Sequence, residues 1–596
     1  MRLKTIYAEN FRNLKSATVD LQQGLNVLVG PNNAGKTNLF DAIRHALGSS
    51  SSQPENLWLE EEDIYRSTNG EPISDPIYIQ LTFSELDEIQ RAHFFEVIDF
   101  SPGVPIESCC ARLNFEAKWL KDKRRFGVSR WGGARNGDRS LIPPEILSAL
   151  PLTYLPALRD AEAALTPGNR SILARVLNDL ATRDGEDYQQ NFEGIFGAAN
   201  EQLEKERLIQ TLETRLRAAV QGMAGTGYTR PSVRAAPPTF GRIVRMLRVI
   251  LDEAPVTDLS RSGLGFNNLL FIGTVLAYLE KPRPEECPIL LVEEPEAHLS
   301  PQHTVLLAAQ LSQLVIPQVL VSTHSPTFAT QVLPSQVLML HEKDGLQRCH
   351  ALKNTGMDKR EERQLQRMLD ITRATLYFAK GIILVEGISE ALLLPELARL
   401  QGIELADRYV SVIPISGVSF GTFKKLFTTG KGLEVPVAII TDADPPIHSE
   451  SRGDWRSEVP QIGQHCPRLT RLRELFEGSQ MVGIFRSQVT LEYDLAYASE
   501  KNAELMAKTW ETTFSGTPSF TSSDLANLKS NDARALQVWR HICRAPNSGS
   551  KADFAHMLAE TLAQMSSEDR ASFAVPDYIV EAIQHSLGVQ PHHTEP

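Results

Sequence analysis

Two groups of residues in this chain have the types and spacing needed for chemistry on phosphates. The first begins with Gly30-Pro-Asn-Asn-Ala-Gly-Lys-Thr37, which follows the pattern G-x-x-x-x-G-K-[ST]. Gly30 and Gly35, with Asn32 and Asn33 between them, allow backbone N–H groups to turn inward around phosphates. Lys36 is placed to reach β- and γ-phosphates, and Thr37 offers a hydroxyl to Mg²⁺. Far downstream, the apolar run Ile289-Leu-Leu-Val292 ends in two adjacent carboxylates, Glu293 and Glu294. One such acid can hold the water shell of Mg²⁺, and the next can polarise an attacking water. The second group is acidic throughout: Glu386 and Glu390, then Asp442 and Asp444. Separate acidic pairs of this kind suit two divalent ions, the arrangement that neutralises a scissile phosphate and activates water together.

These residues need particular elements to hold them. Leu25-Asn-Val-Leu-Val29 reads as the strand before the phosphate loop. Leu39, Ala42, Ile43, Ala46 and Leu47 then fall at helical spacing, so Asn38–Leu47 reads as the helix after it. Such a helix aims its N-terminal dipole at the bound anion. Ile289–Val292 has the length and composition of a buried parallel strand, with Glu293 and Glu294 at the C-terminal end where open α/β sheets bind ligands. Gly381-Ile-Ile-Leu-Val385 and Val437-Ala-Ile-Ile-Thr441 repeat the theme ahead of Glu386 and of Asp442/Asp444. Each motif taken alone has a plainer reading, since D-x-D is a common turn and E-G commonly follows a strand.

Totals bound the possibilities. A chain of 596 residues, 42% hydrophobic and 22% charged, predicts two to four soluble globular domains. A net charge of −12 describes no protein coated for nucleic acid, although a confined basic patch remains compatible with it. The six cysteines include no C-x-x-C, which argues against a zinc site and against a disulfide framework. The N-terminus lacks the apolar region of a signal peptide, and the longest nearly apolar run, Leu269–Leu279, is too short to span a bilayer. The expected location is the cytoplasm, without membrane contact.

Residues 118–139 carry eight basic side chains against Asp122 and Asp138, with Trp119, Phe126 and Trp131 interleaved. A phosphate-contacting hairpin with stacking aromatics is one reading, and an exposed hairpin with a basic face is the other. Residues 170–223 read as helical and separate the two halves of the nucleotide motifs, as an insertion would. Lys359–Leu376 reads as a charged amphipathic helix.

Further motifs carry resemblances. Leu259-Ser-Arg-Ser-Gly-Leu-Gly265 resembles the signature loop of ABC-type ATPases, in which Ser262 and Gly263 would contact the γ-phosphate held by another subunit. A helix N-cap with flexible glycines is the alternative. His324, just after the apolar Val319–Val321 stretch, resembles the switch histidine of the same class. Glu386 followed by Asp442-x-Asp444, each on its own apolar strand, resembles the Toprim fold of topoisomerases, primases and certain nucleases. Together with Gly263-Leu-Gly-Phe-Asn-Asn-Leu269, Leu491-Glu492 and Lys551-x-x-Phe-Ala555, the whole is similar to the OLD (overcoming lysogenization defect) family nucleases over nearly the full chain.

That resemblance implies an α/β architecture with an ABC-type ATPase domain at residues 1–345, its helical dimerisation insertion near 165–235, a helical connector at 346–380, and a Toprim nuclease domain with a helical C-terminal part at 381–590. It implies that Glu386 and Glu390 bind one ion, that Asp442 and Asp444 bind the other, that Glu492 is a further ligand and that Lys551 is the catalytic lysine. The expected cofactors are ATP with one Mg²⁺ and two Mg²⁺ or Mn²⁺ at the Toprim site. The expected partners are DNA, further copies of the chain in a homodimer or homotetramer joined through the ATPase domain, and in some systems a UvrD-like helicase or another defence subunit. The function implied is DNA nicking or cleavage in bacterial defence against phage. Two rivals stand beside it. A DNA-repair ATPase of RecF or SMC type would not cleave, but residues 381–444 then have no role. A strand-passage enzyme or primase would need a companion domain that is not legible here.

Overall fold

The computed structural model describes residues 1–48, 57–67, 69–100, 105–137, 139, 141–157, 164–168, 171–183, 187–224, 231–234, 236, 239–249, 263–279, 282–343, 345–416, 419–427, 431–449, 451, 454–464, 466–514, 521–544 and 550–589. Strands β1 (Arg2–Phe11), β2 (Leu14–Asp20) and β3 (Gly24–Val29) open the chain. They are followed by β4 (Ile77–Ser84), β5 (Ile98–Asp99), β6 (Cys110–Leu120), β7 (Arg125–Gly132) and β8 (Leu152–Leu155). After a helical segment come β9 (Ile289–Glu293), β10 (Gln318–Ser322), β11 (Val337–Lys343) and β12 (Leu346–Ala351). The C-terminal half supplies β13 (Gly381–Val385), β14 (Val410–Pro414), β15 (Val437–Thr441), β16 (Ile447–Ser449), β17 (Glu458–Pro460) and β18 (Val482–Arg486).

Strands β1, β2 and β4–β7 form an antiparallel sheet in the order β2-β1-β4-β6-β5, with β7 paired to β6. The second sheet runs β12-β11-β3-β10-β9-β8 and is parallel except for the β11–β12 hairpin. The third is fully parallel in the order β14-β13-β15-β18. Parallel strands covered on both faces should read as unbroken apolar runs. Accordingly β9, β10, β13 and β15 are buried at every position. The ATPase half and the Toprim half share one continuous core, which runs from Val27 and Leu290 through Leu365, Leu376 and Tyr377 to Ile382 and Ile439.

The insertion is built from helices Ile172–Arg183, Tyr188–Glu204 and Arg207–Ala224, as the sequence predicts. The connector differs from expectation in two ways. Residues 346–351 are strand β12, because their alternation pairs with β11 rather than coiling. The amphipathic helix stops at Met368 instead of reaching Leu376. Leu369 is extended, and the Asp370 carboxylate accepts the Arg373 N–H at 2.7 Å, which starts a separate short turn. Among the described residues no helix is long and apolar enough to cross a membrane, and all six cysteines are free thiols.

Candidate nucleotide site and candidate metal-dependent active site

The phosphate loop joins β3 to the helix Lys36–Leu47. Its glycines are required by backbone geometry. Gly30 has φ +147°, and a Cβ there would lie 2.1 Å from the Leu340 carbonyl oxygen; Gly35 has φ +93° and would strike the Asn13 side chain at 2.8 Å. Asn33 adopts φ 64°, and its carbonyl accepts from the Asn13 amide at 2.9 Å, while the Asn32 and Asn33 side chains face solvent. Lys36 is buried, and its ammonium donates to the carbonyls of Gly30 (2.8 Å) and Pro31 (2.9 Å). Burial pulls its pKa down to about 8 against the opposing pull of Glu294 and Glu296.

The acids stand opposite on the neighbouring strand but one. Glu293 ends β9, and its carboxylate accepts from the Tyr154 hydroxyl at 3.0 Å and from the Thr37 hydroxyl. Burial raises its pKa, and those hydrogen bonds counter the rise. Glu294 follows at φ 40°, a left-handed conformation that costs energy in a non-glycine residue. It lies 3.8 Å from His324 Nε2. The His324 pKa is lowered by burial and by Lys36, with Glu294 pulling it back up. The nucleotide-site residues that sequence predicts on these strands therefore come together.

No sequence pattern singles out Glu296, yet it organises this corner. Its carboxylate accepts from the Thr323 hydroxyl (2.6 Å) and the His324 N–H (3.1 Å), fixing the loop that carries the histidine. Ser262 lies outside the described residues. Gly263 is exposed at the start of the apolar helix Leu264–Leu279. Gly265 there sits so close to the His298 carbonyl that a Cβ would approach within 2.4 Å, so this helix packs on the loop that follows β9.

In the third sheet, every predicted acid lies at or beyond the C-terminal end of a parallel strand. Glu386 follows β13, and one of its oxygens accepts from the Thr441 hydroxyl and from the Asp442 N–H (3.1 Å). Glu390 lies in the first turn of helix Ile388–Leu400 and accepts the Gly387 N–H at 3.1 Å. Asp442 follows β15; it accepts from the Ser487 hydroxyl (3.2 Å) and from the Leu491 N–H (3.1 Å) at the start of helix Leu491–Ala498. Asp444 has φ 43° and is exposed. Glu492 is buried at 4% exposure, and Lys551, the first residue of helix Lys551–Gln564, donates to it at 3.4 Å.

Electrostatics bind this set into one site. Burial, then Glu492 and Glu390, push the Asp442 carboxyl well above its usual range. Burial and Glu386 raise Asp444; burial, then Glu492 and Glu386, raise Glu390. Burial works against the Lys551 charge, but Glu492 and Asp442 outweigh it and raise the pKa. Oxygen-only donors and an excess of negative charge fit hard divalent cations such as Mg²⁺ or Mn²⁺. The carboxylates do not close into a tight triad. Among the described residues the one His/Cys/Asp/Glu trio with all ligand atoms within 4.8 Å lies elsewhere. Mutual repulsion and an intervening arginine keep the acids apart. Arg468 bridges Glu386 (2.8 Å) and Asp444 (3.6 Å), and nothing in its local sequence marks it. The same holds for Thr441 and Ser487, which position Glu386 and Asp442.

The basic hairpin is β6–β7. Three of its cations serve the fold. Arg130 donates to the His45 carbonyl (3.0 Å), Arg135 pairs with Glu9 (2.7 Å), and Arg139 makes a bidentate pair with Glu116. Trp131 is fully buried and Trp119 packs on Phe126. Lys118, Lys121, Lys123, Arg124 and Arg125 lie toward the tip, at the surface.

Comparison with known proteins agrees with both halves. Residues 25–329 match the family described as "AAA domain, putative AbiEii toxin, Type IV TA system". Residues 377–444 match "Overcoming lysogenization defect protein-like, TOPRIM domain". The chain is 25% identical over 480 residues to the OLD nuclease of Thermus scotoductus, covering 77% of this chain and 85% of that protein. It is 24% identical over 481 residues to the Old nuclease of Escherichia phage P2, covering 74% and 77%. The solved C-terminal region of the Burkholderia pseudomallei OLD protein is 27% identical, covers 35% of this chain and 96% of that chain, and superposes with a TM-score of 0.24. With an AAA-type ATPase domain followed by an OLD-type TOPRIM domain, the chain belongs to the OLD (overcoming lysogenization defect) family.

Proposed function

We propose that this chain is an ATP-binding, divalent-metal-dependent DNA endonuclease whose cleavage is regulated by its ATPase domain, and that it serves bacterial defence against phage. The observation that carries the reading is the gathering of Glu386, Glu390, Asp442, Asp444, Glu492 and Lys551 at the C-terminal edge of one parallel sheet. The names of the two nuclease relatives support it.

Divalent ions bound there supply charge neutralisation at the scissile phosphate and lower the pKa of an attacking water. Glu386 and Glu390 would hold one ion and Asp442 and Asp444 the other, and Glu492 would add a ligand while orienting Lys551. The Lys551 ammonium stabilises the negative charge that grows on the phosphate. The Arg468 guanidinium, which bridges Glu386 and Asp444, would have to release them for both pairs to take a cation. In the ATPase half, Lys36 would meet the γ-phosphate, Thr37 and Glu293 would hold the nucleotide's divalent cation, and Glu294 with His324 would orient the hydrolytic water.

Ser262 and Gly263 complete the nucleotide site of a second copy, which requires at least a homodimer. The insertion supports that requirement, because Leu208, Leu212 and Leu216 repeat along one helix face and are 79%, 51% and 39% exposed. DNA is engaged in part by the cations at the β6–β7 tip.

The decisive test is nicking of supercoiled plasmid with Mg²⁺ or Mn²⁺, with and without ATP, for wild type and Glu386→Ala. Metal-dependent nicking lost in the variant is expected, and the ATP lanes give the sign of regulation. Nicking that survives in Glu386→Ala would overturn the site. No nicking by wild type on any DNA tested would favour the non-cleaving RecF- or SMC-like ATPase.

A further inference from the structure

A second group of metal-type ligands lies far from the acid cluster. His341, on β11, is opposite Arg348 in the β11–β12 hairpin, and His350, on β12, is opposite Met339. The two histidines are therefore diagonal neighbours on one face of the hairpin. Their rings stack at 4.9 Å between centroids and 21° between planes. His341 is 6% exposed, and the buried Nε2 of each ring has no hydrogen-bond partner. Glu434 approaches from the Toprim half, in the segment leading into β15. Ligand atoms of His341, His350 and Glu434 all lie within 4.8 Å of one another.

A buried and a half-buried imidazole that stack with their Nε2 atoms unpartnered leave polar atoms desolvated without compensation. A shared cation removes that cost. Two imidazoles and a carboxylate with one open position is a ligand set that suits zinc, with bonds of about 2.0–2.2 Å. Closing separations of up to 4.8 Å onto one ion takes movements of about 1 Å, within the reach of side-chain rotation. Lys343 donates to Glu434 at 2.7 Å and sits on a flexible stem, so it can share or yield that carboxylate. A cleft of about 560 Å³ beside the trio gives a route for entry and for a water ligand.

We propose that His341, His350 and Glu434 form a site for a zinc-type divalent transition metal that fastens the ATPase sheet to the Toprim sheet. The absence of C-x-x-C points away from zinc, but the fold assembles a site from histidines and a glutamate instead. Its position gives it mechanical leverage. Met339 on β11 pairs with Val29 on β3, immediately before the phosphate loop, and the cleft is lined by Pro31–Ala34 on one side and by Glu434–Pro436 on the other. Glu434 lies three residues before β15 and Asp442 directly after it, so they are at opposite ends of a strand about 13 Å long. The ion would thus hold the back of the phosphate loop and the base of an acid-bearing strand in one rigid unit.

The test uses the full chain without a histidine tag, stripped of metal and held in excess Mg²⁺ so that the carboxylate site is satisfied. Titration with Co²⁺ should give visible d–d bands that saturate at a single equivalent and are abolished by Zn²⁺. His350→Gln and Glu434→Gln, which keep polar side chains of similar size, should weaken binding by more than the roughly 10–100-fold that outer-shell changes cost. Zn²⁺ should raise the melting temperature of the wild type and leave both variants unmoved. Wild type that gives no d–d bands, or bands and Zn²⁺ stabilisation unchanged in both variants, would overturn the site. Glu386→Gln should retain the bands, which separates this outcome from failure of the nuclease reading.

Discussion

The nucleotide site and the Toprim site place carboxylates in the same way, at the C-terminal ends of parallel strands, but they balance charge differently. Around the phosphate loop the acids are satisfied by the fold: Glu293 by Tyr154 and Thr37, Glu296 by Thr323 and the His324 N–H, and Lys36 by two carbonyls. The cost of preorganisation there is backbone strain, at Asn33, Glu294 and His298. Burial raises the carboxyls of both sites, Glu293 and Glu296 in the first and Glu390, Asp442 and Asp444 in the second; the difference is that the Toprim site gathers five acids around Lys551 and Arg468. On the proposed function, the first site would receive a nucleotide together with a divalent cation, and the second would gain its charge balance from cations taken up from solution.

That contrast can be broken experimentally, beginning with the largest effects. Asp442→Asn is expected to reduce metal-dependent nicking by at least about 10²-fold while leaving ATP hydrolysis intact, read by gel and by phosphate release. Loss of both activities would mean that the two sites are not separable. Lys36→Ala should weaken fluorescent-nucleotide binding by about 100-fold, or about 2.7 kcal/mol, without changing Mn²⁺ binding at the Toprim site. Retained nucleotide affinity would remove Lys36 from its role.

A smaller effect is expected at Arg468. If the guanidinium only stands in for a cation, Arg468→Ala should tighten Mn²⁺ binding several-fold, as measured by calorimetry. Weaker binding, or loss of nicking at saturating metal, would make it a substrate-contacting group.

The acid cluster also predicts a pH signature. A carboxyl with a raised folded pKa binds its proton more tightly when folded, so at neutral pH it costs stability, and that cost fades as pH falls through the folded value. Burial raises Asp494, beside the cluster, to about 6. Excess Mg²⁺ should therefore raise the melting temperature more at about pH 8 than at about pH 5.5. The metal-free Asp442→Asn variant should melt about 2–4 °C above wild type, the shift that roughly 1 kcal/mol produces in a domain of this size. Equal Mg²⁺ stabilisation at both pH values would contradict the frustrated-cluster picture. The smallest effect belongs to the hairpin. Reversing Lys123, Arg124 and Arg125 should lower the slope of log K against log salt by about 0.7–0.9 for each DNA phosphate that these cations neutralise. An unchanged slope would leave the tip as ordinary solvated surface.

What sequence makes legible follows a physical division. Phosphate loops and strand-terminal acids are local: a run of apolar residues, a turn and a carboxylate sit close together along the chain, and their geometry follows from the backbone. Gly30, Lys36, Glu293, Glu386 and Asp442 are readable for that reason. Arg468, Thr441, Ser487 and Glu296 act through partners chosen by tertiary packing, and their own neighbours in sequence carry no signal. The hairpin shows the same limit. Arg130, Arg135 and Arg139 look like DNA-binding cations in a row of basic residues, but the fold delivers them to a carbonyl, to Glu9 and to Glu116. The pairing of His341 with His350 depends on β12, which reads as connector until it is seen beside β11.

The last helix of the described chain, Asp577–Ser586, packs its Ile579, Ala582 and Ile583 into the Toprim core. A Cβ on Gly381, the first residue of β13, would lie 1.9 Å from the Ser586 carbonyl oxygen, and His585 meets the Met481 carbonyl at 3.1 Å. The sheet that carries the acids is therefore closed by residues synthesised some two hundred positions after its first strand. The strands of the ATPase sheet are all made by residue 351. At about 5–20 residues per second, a ribosome spends roughly 10–50 s between completing that sheet and releasing the helix that closes the other. During that interval every strand around the phosphate loop has been made while the acid cluster has not, so the order of synthesis puts the phosphate loop ahead of the site it is proposed to govern.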